Sequence, residues 1–184
     1  SRSAMFLERM TALATLMAER LYAQALAYAE LKPGERAFDL FCGAGSIALL
    51  MAGRCREVFG VELSEDSIRL AGENAALNGI TNATFAAGKV RRVLKDLPVP
   101  SGPDLVLLDP PRAGASRKEV ERLAALGAGR LVYVSCNAST LAGNALNLSE
   151  NGYRLTRTIA VDMFPHTPHI EVVARFERQV GSSG

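Results

Sequence analysis

Short apolar runs alternate with helix-forming segments along most of the chain. Runs of four or five mostly apolar residues, bounded by Gly, Pro or acidic residues, predict buried strands at 37–41, 58–61, 84–87, 105–108 and 131–134. Segments rich in helix formers, several with Ser at the start or Gly at the end, predict helices at 5–31, 46–52, 65–78, 117–126 and 140–148. The alternation of strand and helix predicts a parallel sheet with helices on both faces.

The C-terminal part breaks this alternation. Residues 154–162 and 170–176 have strand composition, and no helical segment separates them. Two strands joined by a short loop predict an antiparallel hairpin at one edge of the sheet. The predicted fold class is therefore α/β, a Rossmann-like doubly wound, mostly parallel sheet with an antiparallel C-terminal strand hairpin.

Composition narrows the class of protein without naming a function. Hydrophobic residues make up 48% and charged residues 22% of the 184 residues, which excludes a disordered tail, a fibre and a coiled coil. The three cysteines are too few for a disulfide framework, so we expect a reducing, cytoplasmic compartment. No apolar run approaches the roughly 18 residues of a membrane span, so no membrane partner is expected.

The ends of the predicted strands carry the candidate binding residues, because ligands of doubly wound sheets bind at the carboxyl edge. Gly43 and Gly45 follow the first strand and let a ligand approach the backbone next to a helix N-terminus. Glu62 ends the second strand, roughly 20 residues further on, where an acid can accept hydrogen bonds from ribose hydroxyls. Taken alone, this spacing fits a dinucleotide or S-adenosylmethionine.

Three strand-end motifs together resemble class I S-adenosylmethionine-dependent methyltransferases. They are Asp-x-Phe-Cys-Gly-x-Gly from Asp39, Val-Glu at Glu62, and Asp-Pro-Pro from Asp109. The resemblance implies S-adenosyl-L-methionine as cofactor. The residues that it assigns to cofactor binding are Phe41, Gly43, Gly45, Ser46, Glu62 and Asp109.

The fifth predicted strand ends at Cys136, beside the expected position of the methyl donor. A free cysteine is more often a buried structural residue than a nucleophile. We therefore interpret Cys55 as structural and Cys42 as a contact in the cofactor loop. Cys136 differs because the segment that joins the two tail strands can lie over the same edge and carries Glu171.

At these motifs the resemblance becomes specific. Asp109-Pro-Pro-Arg-Ala-Gly114, Val134-Ser-Cys-Asn137 and the segment from Asp162 to Glu171 are similar to the RNA 5-methyluridine methyltransferase family. The resemblance implies an enzyme that methylates carbon-5 of a uridine in rRNA or tRNA, with RNA as partner. Carried over by motif, Cys136 is the nucleophile and Glu171 the base.

The proposed chemistry explains these residue types. Uracil carbon-5 becomes nucleophilic only after a thiolate adds to carbon-6, and a base must then remove the carbon-5 proton. Arg112 or the neighbouring helix N-terminus is expected to favour the thiolate. His166 and His169 lack further ligands nearby, so no metal is expected in this chain.

The chain departs from the family pattern at three places. Lys89 stands where an adenine-binding acid or amide is usual, Ala138 replaces a proline, and residues 5–18 contain no Phe-x-Gln-x-Asn segment. Two alternatives therefore stay open: methylation of another RNA position with Cys136 structural, or an inactive cofactor-binding or RNA-binding scaffold. The predicted organisation is a leading helical segment at 1–30, a methyltransferase domain at 31–178 and a tail at 179–184.

Charge leaves the RNA-binding surface open. The net charge is only +2, from 21 basic and 19 acidic residues. Basic residues nevertheless cluster in two short stretches, at 89–95 and 112–118. Each stretch is either a solvated helix face or a contact surface for RNA.

Overall fold

The computed structural model describes residues 2–97, 102–163 and 170–179, with side chains from Leu16 onward. The elements in chain order are α1 (Arg2–Ala29), β1 (Arg36–Leu40), α2 (Ser46–Ala52), β2 (Glu57–Glu62), α3 (Glu65–Leu77), β3 (Ala83–Ala87), α4 (Val90–Asp96), β4 (Leu105–Leu108), α5 (Arg117–Ala125), β5 (Arg130–Ser135), α6 (Ala138–Glu150), β6 (Tyr153–Asp162) and β7 (Ile170–Arg178).

The strands form one sheet of seven in the order β3-β2-β1-β4-β5-β7-β6. Strands β1 to β5 are parallel, and β7 is antiparallel to both of its neighbours. The predicted fold class is confirmed, including the antiparallel strand pair at one end. The last strand lies inside the sheet, between β5 and β6, and β6 forms the edge.

Two apolar layers bury the sheet. The central strand β4 shows why, because its four residues are all buried and alternate between the layers. Leu105 and Leu107 pack with α1 and α2, whereas Val106 and Leu108 pack with α4, α5 and α6. A four-residue apolar run therefore specifies a strand that is covered on both faces.

Helix α1 is part of this packing in its C-terminal half. Leu21 and Leu26 are buried in the same layer as the strands. The helix end is fixed by Arg130, whose Nε donates to the carbonyl oxygen of Ala29 at 3.0 Å. The same guanidinium forms an ion pair of 2.6 Å with Glu35.

The list of predicted helices omits α4. Its seven residues carry three cations, and the sequence analysis interpreted this stretch only as a solvated helix face or a contact surface for RNA. Val90 and Leu94 are nevertheless buried against the sheet, one helical turn apart. Burial of those two side chains stabilises a helix too short to be stable alone.

Within the described part of the chain, no helix combines the length and the apolarity that a bilayer crossing requires.

Candidate functional site

The loop after β1 has a backbone that only particular residues tolerate. Phe41, Gly43 and Gly45 adopt positive φ angles of 63°, 54° and 83°. A side chain on Gly45 would meet Ala71 at 3.0 Å and the ring of Phe85 at 3.2 Å, so this glycine is required by packing. A side chain on Gly43 would meet no protein atom within 4 Å. The space in front of Gly43 is therefore open to a ligand.

Glu62 ties this loop to the end of β2. Its Oε2 accepts a hydrogen bond from the amide of Gly43 at 3.1 Å, and its Oε1 accepts one from the amide of Ser64 at 3.1 Å. Each oxygen keeps a second lone pair that can accept from a ligand hydroxyl. Ser46 is exposed at the first turn of α2, beside the same loop.

Two further carboxyl groups lie at this edge. Asp39 is buried, and its Oδ2 has no hydrogen-bond partner among the described residues. Burial, then repulsion from Asp109, raises the pKa of Asp39 well above its ordinary value, although the amide of Ala48 opposes the shift. Asp109 follows β4 and is open to solvent, yet the protein atoms crowded around it desolvate the carboxylate. That desolvation, followed by repulsion from Glu171, raises the pKa of Asp109 to about 7.

Cys136 lies directly after β5 and is exposed. Ser135 and Asn137, which flank Cys136, are joined by two hydrogen bonds. The hydroxyl of Ser135 donates to the carbonyl of Asn137 at 2.8 Å and accepts from the amide of Asn137 at 3.0 Å. Asn137 then caps α6 by accepting from the amides of Ser139 and Thr140. The thiol therefore stands at the N-terminus of a 13-residue helix, where the helix dipole favours an anion.

Strand β7 brings Glu171 to the same place. Ser135 of β5 is in register with Val172 of β7, and the two strands are antiparallel. The next residues toward the carboxyl edge of the sheet are Cys136, directly after β5, and Glu171 of β7. Glu171 is half-buried, and this burial raises the pKa of its carboxyl.

A buried polar network holds the loop after Asp109 against this corner. The side chain of Asn144 on α6 accepts from the hydroxyl of Tyr133 at 2.6 Å and from the amide of Ala115 at 2.9 Å, and it donates to the carbonyl of Ala115 at 2.7 Å. A side chain on Gly114 would lie 2.8 Å from the side-chain oxygen of Asn144. The carbonyl of Arg112 also accepts from the hydroxyl of Thr140 at 3.2 Å. These bonds attach the Asp-Pro-Pro-Arg loop to the helix that follows Cys136.

Sequence reasoning missed Asn144 and also Tyr22. Asn144 occupies a core position of α6, since Leu141 and Leu148 on the same face are buried. A polar residue at an apolar helical position was the signal that could have found it. Tyr22 reaches the site from α1, far away in sequence. Burial, then the charges of Asp109 and Asp39, raises the pKa of its hydroxyl.

The other candidate ligands and thiols do not form a second centre in the described residues. Cys55 is buried, and its thiol donates to the carbonyl of Met51 at 3.2 Å. Cys42 is half-buried, and burial followed by the charges of Asp39 and Glu62 raises the pKa of its thiol. No group of three metal-ligating side chains occurs among the residues that the structure describes. His166 and His169 lie outside them.

The structure places all eight predicted site residues at the carboxyl edge of the sheet. Six are on the side formed by β1, β2 and β4: Phe41, Gly43, Gly45, Ser46, Glu62 and Asp109. Cys136 and Glu171 are on the side formed by β5 and β7. Asp109 links the two sides electrostatically. Repulsion from Glu171 contributes to the raised pKa of Asp109, and the charge of Asp109 contributes to the raised pKa of Asp39. The roles of these residues stay predictions.

The same Rossmann-like fold occurs in solved structures. The solved structure of the N-methyltransferase NodS from Bradyrhizobium japonicum WM9 is similar with a TM-score of 0.74, although only 14% of residues are identical. That alignment covers 89% of this chain and 97% of the NodS chain. At this level of identity the similarity shows the fold alone.

The family follows from the sequence. The model of the tRNA (uracil-5-)-methyltransferase family matches residues 8–179, and the chain belongs to this family. The resemblance found in the motifs is thereby confirmed.

Named relatives lie within the same family. The chain is 47% identical over 167 residues to the 23S rRNA (uracil(1939)-C(5))-methyltransferase RlmD of Pseudomonas fluorescens, covering 90% of this chain and 36% of RlmD. The crystal structure of Pyrococcus abyssi tRNA (uracil-54, C5)-methyltransferase in complex with S-adenosyl-L-homocysteine is 36% identical, with a TM-score of 0.72. It covers 85% of this chain and 38% of that one. The chain thus spans about a third of the length of the relatives it matches.

Proposed function

We propose that this chain is the catalytic part of an S-adenosylmethionine-dependent RNA methyltransferase that modifies carbon-5 of uridine through a covalent adduct with Cys136. The single observation that carries the proposal is the register of β5 and β7. Its last pair is Ser135 with Val172; the exposed Cys136 directly follows Ser135, and the half-buried Glu171 directly precedes Val172, on the edge that also holds the glycine loop.

The cofactor side fits S-adenosylmethionine. The open space at Gly43 accommodates a ligand against the backbone, and Glu62 has free lone pairs for ribose hydroxyls. The cationic part of the ligand would favour the ionised forms of Asp39 and Asp109, whose pKa values are raised by burial and by repulsion between neighbouring carboxylates. The relative from Pyrococcus abyssi, crystallised with S-adenosyl-L-homocysteine, supports the same cofactor. When bound, S-adenosylmethionine supplies an electrophilic methyl group.

Cys136 performs the first step. Its thiolate forms a bond to carbon-6 of uracil, and the electron pair of the carbon-5/carbon-6 double bond moves to carbon-5 and the O4 enolate. Carbon-5 thereby becomes nucleophilic enough to accept a methyl group. The Ser135–Asn137 turn fixes the backbone around the thiol at the N-terminus of α6.

Glu171 completes the reaction. Its carboxylate takes the proton from carbon-5, the double bond re-forms, and the thiolate of Cys136 leaves carbon-6. Burial raises the pKa of Glu171, which makes it a stronger base than an ordinary carboxylate.

Two observations weigh against the alternatives. A structural role for Cys136 would call for a buried thiol, as at Cys55, whereas Cys136 is exposed. An inactive scaffold would not require a half-buried carboxyl, that of Glu171, beside the last paired positions of β5 and β7. Among RNA substrates, we favour 23S rRNA, because relatives with that substrate in their names are 47% and 44% identical, and the tRNA enzyme is 36% identical.

The test is product analysis. Unmodified transcripts of 23S rRNA and of tRNA are incubated with the protein and methyl-labelled S-adenosylmethionine, and the nucleosides of the digested RNA are identified. We expect labelled 5-methyluridine in 23S rRNA, abolished by Cys136→Ala and retained by Cys55→Ala. Label in another nucleoside, or activity that survives Cys136→Ala, would overturn the proposal.

A further inference from the structure

A basic groove lies between α4 and α5, outside the cleft described above. Its volume is about 1510 Å³, and its floor includes the apolar side chains of Phe59, Val93 and Leu97. Six exposed cations line it: Lys89, Arg91, Arg92, Lys95, Lys118 and Arg122. Three acidic residues also line it: Glu65, Asp96 and Glu121.

The six cations form no ion pair with any described carboxylate. Elsewhere in the described residues arginines do pair with acids, as Arg69 does with Glu73 at 2.7 Å. Within the groove, Glu121 is already engaged by Arg117 of the same helix. Unneutralised cations gathered in one groove create a positive potential that attracts anions.

The spacing of the cations suits a polymer of phosphates better than a single anion. Arg91 and Lys95 lie four residues apart on α4, and Lys118 and Arg122 lie four residues apart on α5. Each pair therefore extends about 6 Å along its helix axis. Two such rows on neighbouring helices form a track rather than a pocket.

The groove begins at the edge that carries the candidate site. Leu63 and Gly88 line it, and the amide of Gly88 donates to the carbonyl of Glu62 at 2.8 Å. The cleft beyond Glu62 is acidic and repels phosphates. A nucleic acid can satisfy both regions if its backbone stays on the basic track while one uncharged base enters the cleft.

We infer that the α4–α5 groove binds the phosphate backbone of the RNA strand that flanks the target uridine. The inference rests on the proposed function for the identity of the polyanion. It assigns substrate affinity to residues that take no part in methyl transfer.

The test compares two triple variants with the same change in charge. The groove variant is Arg91→Gln, Arg92→Gln and Lys95→Gln, and the matched control replaces the exposed Arg20, Arg54 and Arg154 by Gln. Glutamine keeps the helix propensity of the three groove positions on α4. The readouts are binding of an unmodified 23S rRNA transcript at several salt concentrations and binding of S-adenosyl-L-homocysteine.

We expect the groove variant to bind the transcript at least about tenfold more weakly. The magnitude of the negative slope of log K against log salt should decrease by about 2 to 3, which is roughly 1 per lost phosphate contact. The control should change affinity less than about threefold, and neither variant should change cofactor affinity. Equal losses in the two variants, or no loss in either, would overturn the inference. Competition by polyglutamate as effective as that by RNA would overturn the choice of RNA.

These outcomes are independent of the reaction itself. If the wild-type protein binds RNA through the groove but labels no uridine, the proposed function fails and the inference stands. If it forms 5-methyluridine while the groove variant binds RNA normally, the inference fails and the proposed function stands.

Discussion

The two sides of the cleft are built in different ways. On the proposed cofactor side, all the site residues except Asp109 come from one short stretch, in which Gly43 and Glu62 are 19 residues apart and are joined directly by a hydrogen bond of 3.1 Å. On the proposed catalytic side, Cys136 follows β5 and Glu171 belongs to β7, and the antiparallel pairing of these two strands brings the two segments together. A buried asparagine adds support from α6. The first side depends on local backbone conformation, and the second depends on long-range packing.

The comparison implies that each side can be damaged separately. Changes in the glycine loop should affect cofactor binding, whereas changes in the packing around β5 and β7 should affect turnover with the cofactor still bound. Variants on each side of the cleft test this separation.

The largest effect is expected for Glu171→Gln, which removes the proposed base and leaves the size of the side chain unchanged. Formation of released 5-methyluridine should fall by about 10²- to 10⁴-fold, because the carbon-5 proton stays in place and the thiol cannot leave, while cofactor affinity stays within about twofold. Burial raises the pKa of Glu171, and the base acts when deprotonated. Wild-type turnover should therefore rise with pH through this raised pKa, and the variant should lose that rise. Single-turnover rates measured across pH test this, with Glu177→Gln on the same strand as control.

The glycine loop should show the opposite pattern. Gly43→Ala places a methyl group in open space at a positive φ, so its stability cost should be about 1 kcal/mol. Gly79→Ala is the matched control, because Gly79 also has a positive φ and open surroundings but lies at the end of α3. We expect calorimetry to show S-adenosyl-L-homocysteine bound at least about tenfold more weakly by Gly43→Ala alone, equivalent to about 1.4 kcal/mol.

Gly45→Ala tests packing in the same loop. Its new methyl group meets Ala71 at 3.0 Å and Phe85 at 3.2 Å, so overpacking adds to the strain of φ. The free energy of unfolding should fall by about 2–5 kcal/mol, measured by denaturant titration. A loss no greater than that of Gly79→Ala would contradict the assigned packing role.

Asn144→Ala should weaken the catalytic side through its support. The change leaves the hydroxyl of Tyr133 and both backbone groups of Ala115 without their partner, at a cost of about 2–4 kcal/mol in the free energy of unfolding. In the folded variant, turnover should fall more than cofactor affinity. Asn147→Ala on the same helix is the control. Equal losses of turnover and cofactor binding would show that the two sides are not separable.

A further prediction concerns the protonation of Asp39. Because burial raises the pKa of this carboxyl, the folded state holds its proton more tightly than the unfolded state does, and stability declines as pH rises from the ordinary value of 3.8 through the raised pKa. Asp39→Asn removes this decline. The variant should be more stable than the wild type at pH 8 by on the order of 1–3 kcal/mol, with the gain shrinking toward pH 4. A gain that does not depend on pH would contradict this account.

The same division explains what could be predicted from the sequence. The glycine loop, Glu62 and the strand ends follow from local motifs, and they lie together in the structure because parallel strands end at one edge. The insertion of β7 between β5 and β6 required pairing information that no local pattern contains. Helix α4 was missed because only Val90 and Leu94, two buried residues among charges, specify it.

The residues that support the proposed catalytic side were harder still to predict from the sequence. Asn144 bonds the loop after Asp109, and Tyr22 lies near enough to Asp109 and Asp39 for their charges to raise its pKa, but both come from helices whose composition suggested only packing. Their roles depend on what they face, and that is decided by the assembled sheet.

The most direct test of the central claim is covalent trapping with RNA that contains 5-fluorouridine. Fluorine cannot be removed from carbon-5 as a proton, so the reaction should stop with the RNA joined to the thiol and the methyl group already transferred. We predict a denaturation-resistant protein–RNA complex that requires S-adenosylmethionine, maps to Cys136 by mass spectrometry and is absent from Cys136→Ala. A protein that binds both the cofactor and the RNA but forms no such adduct, or forms one at Cys42 or Cys55, would contradict the account.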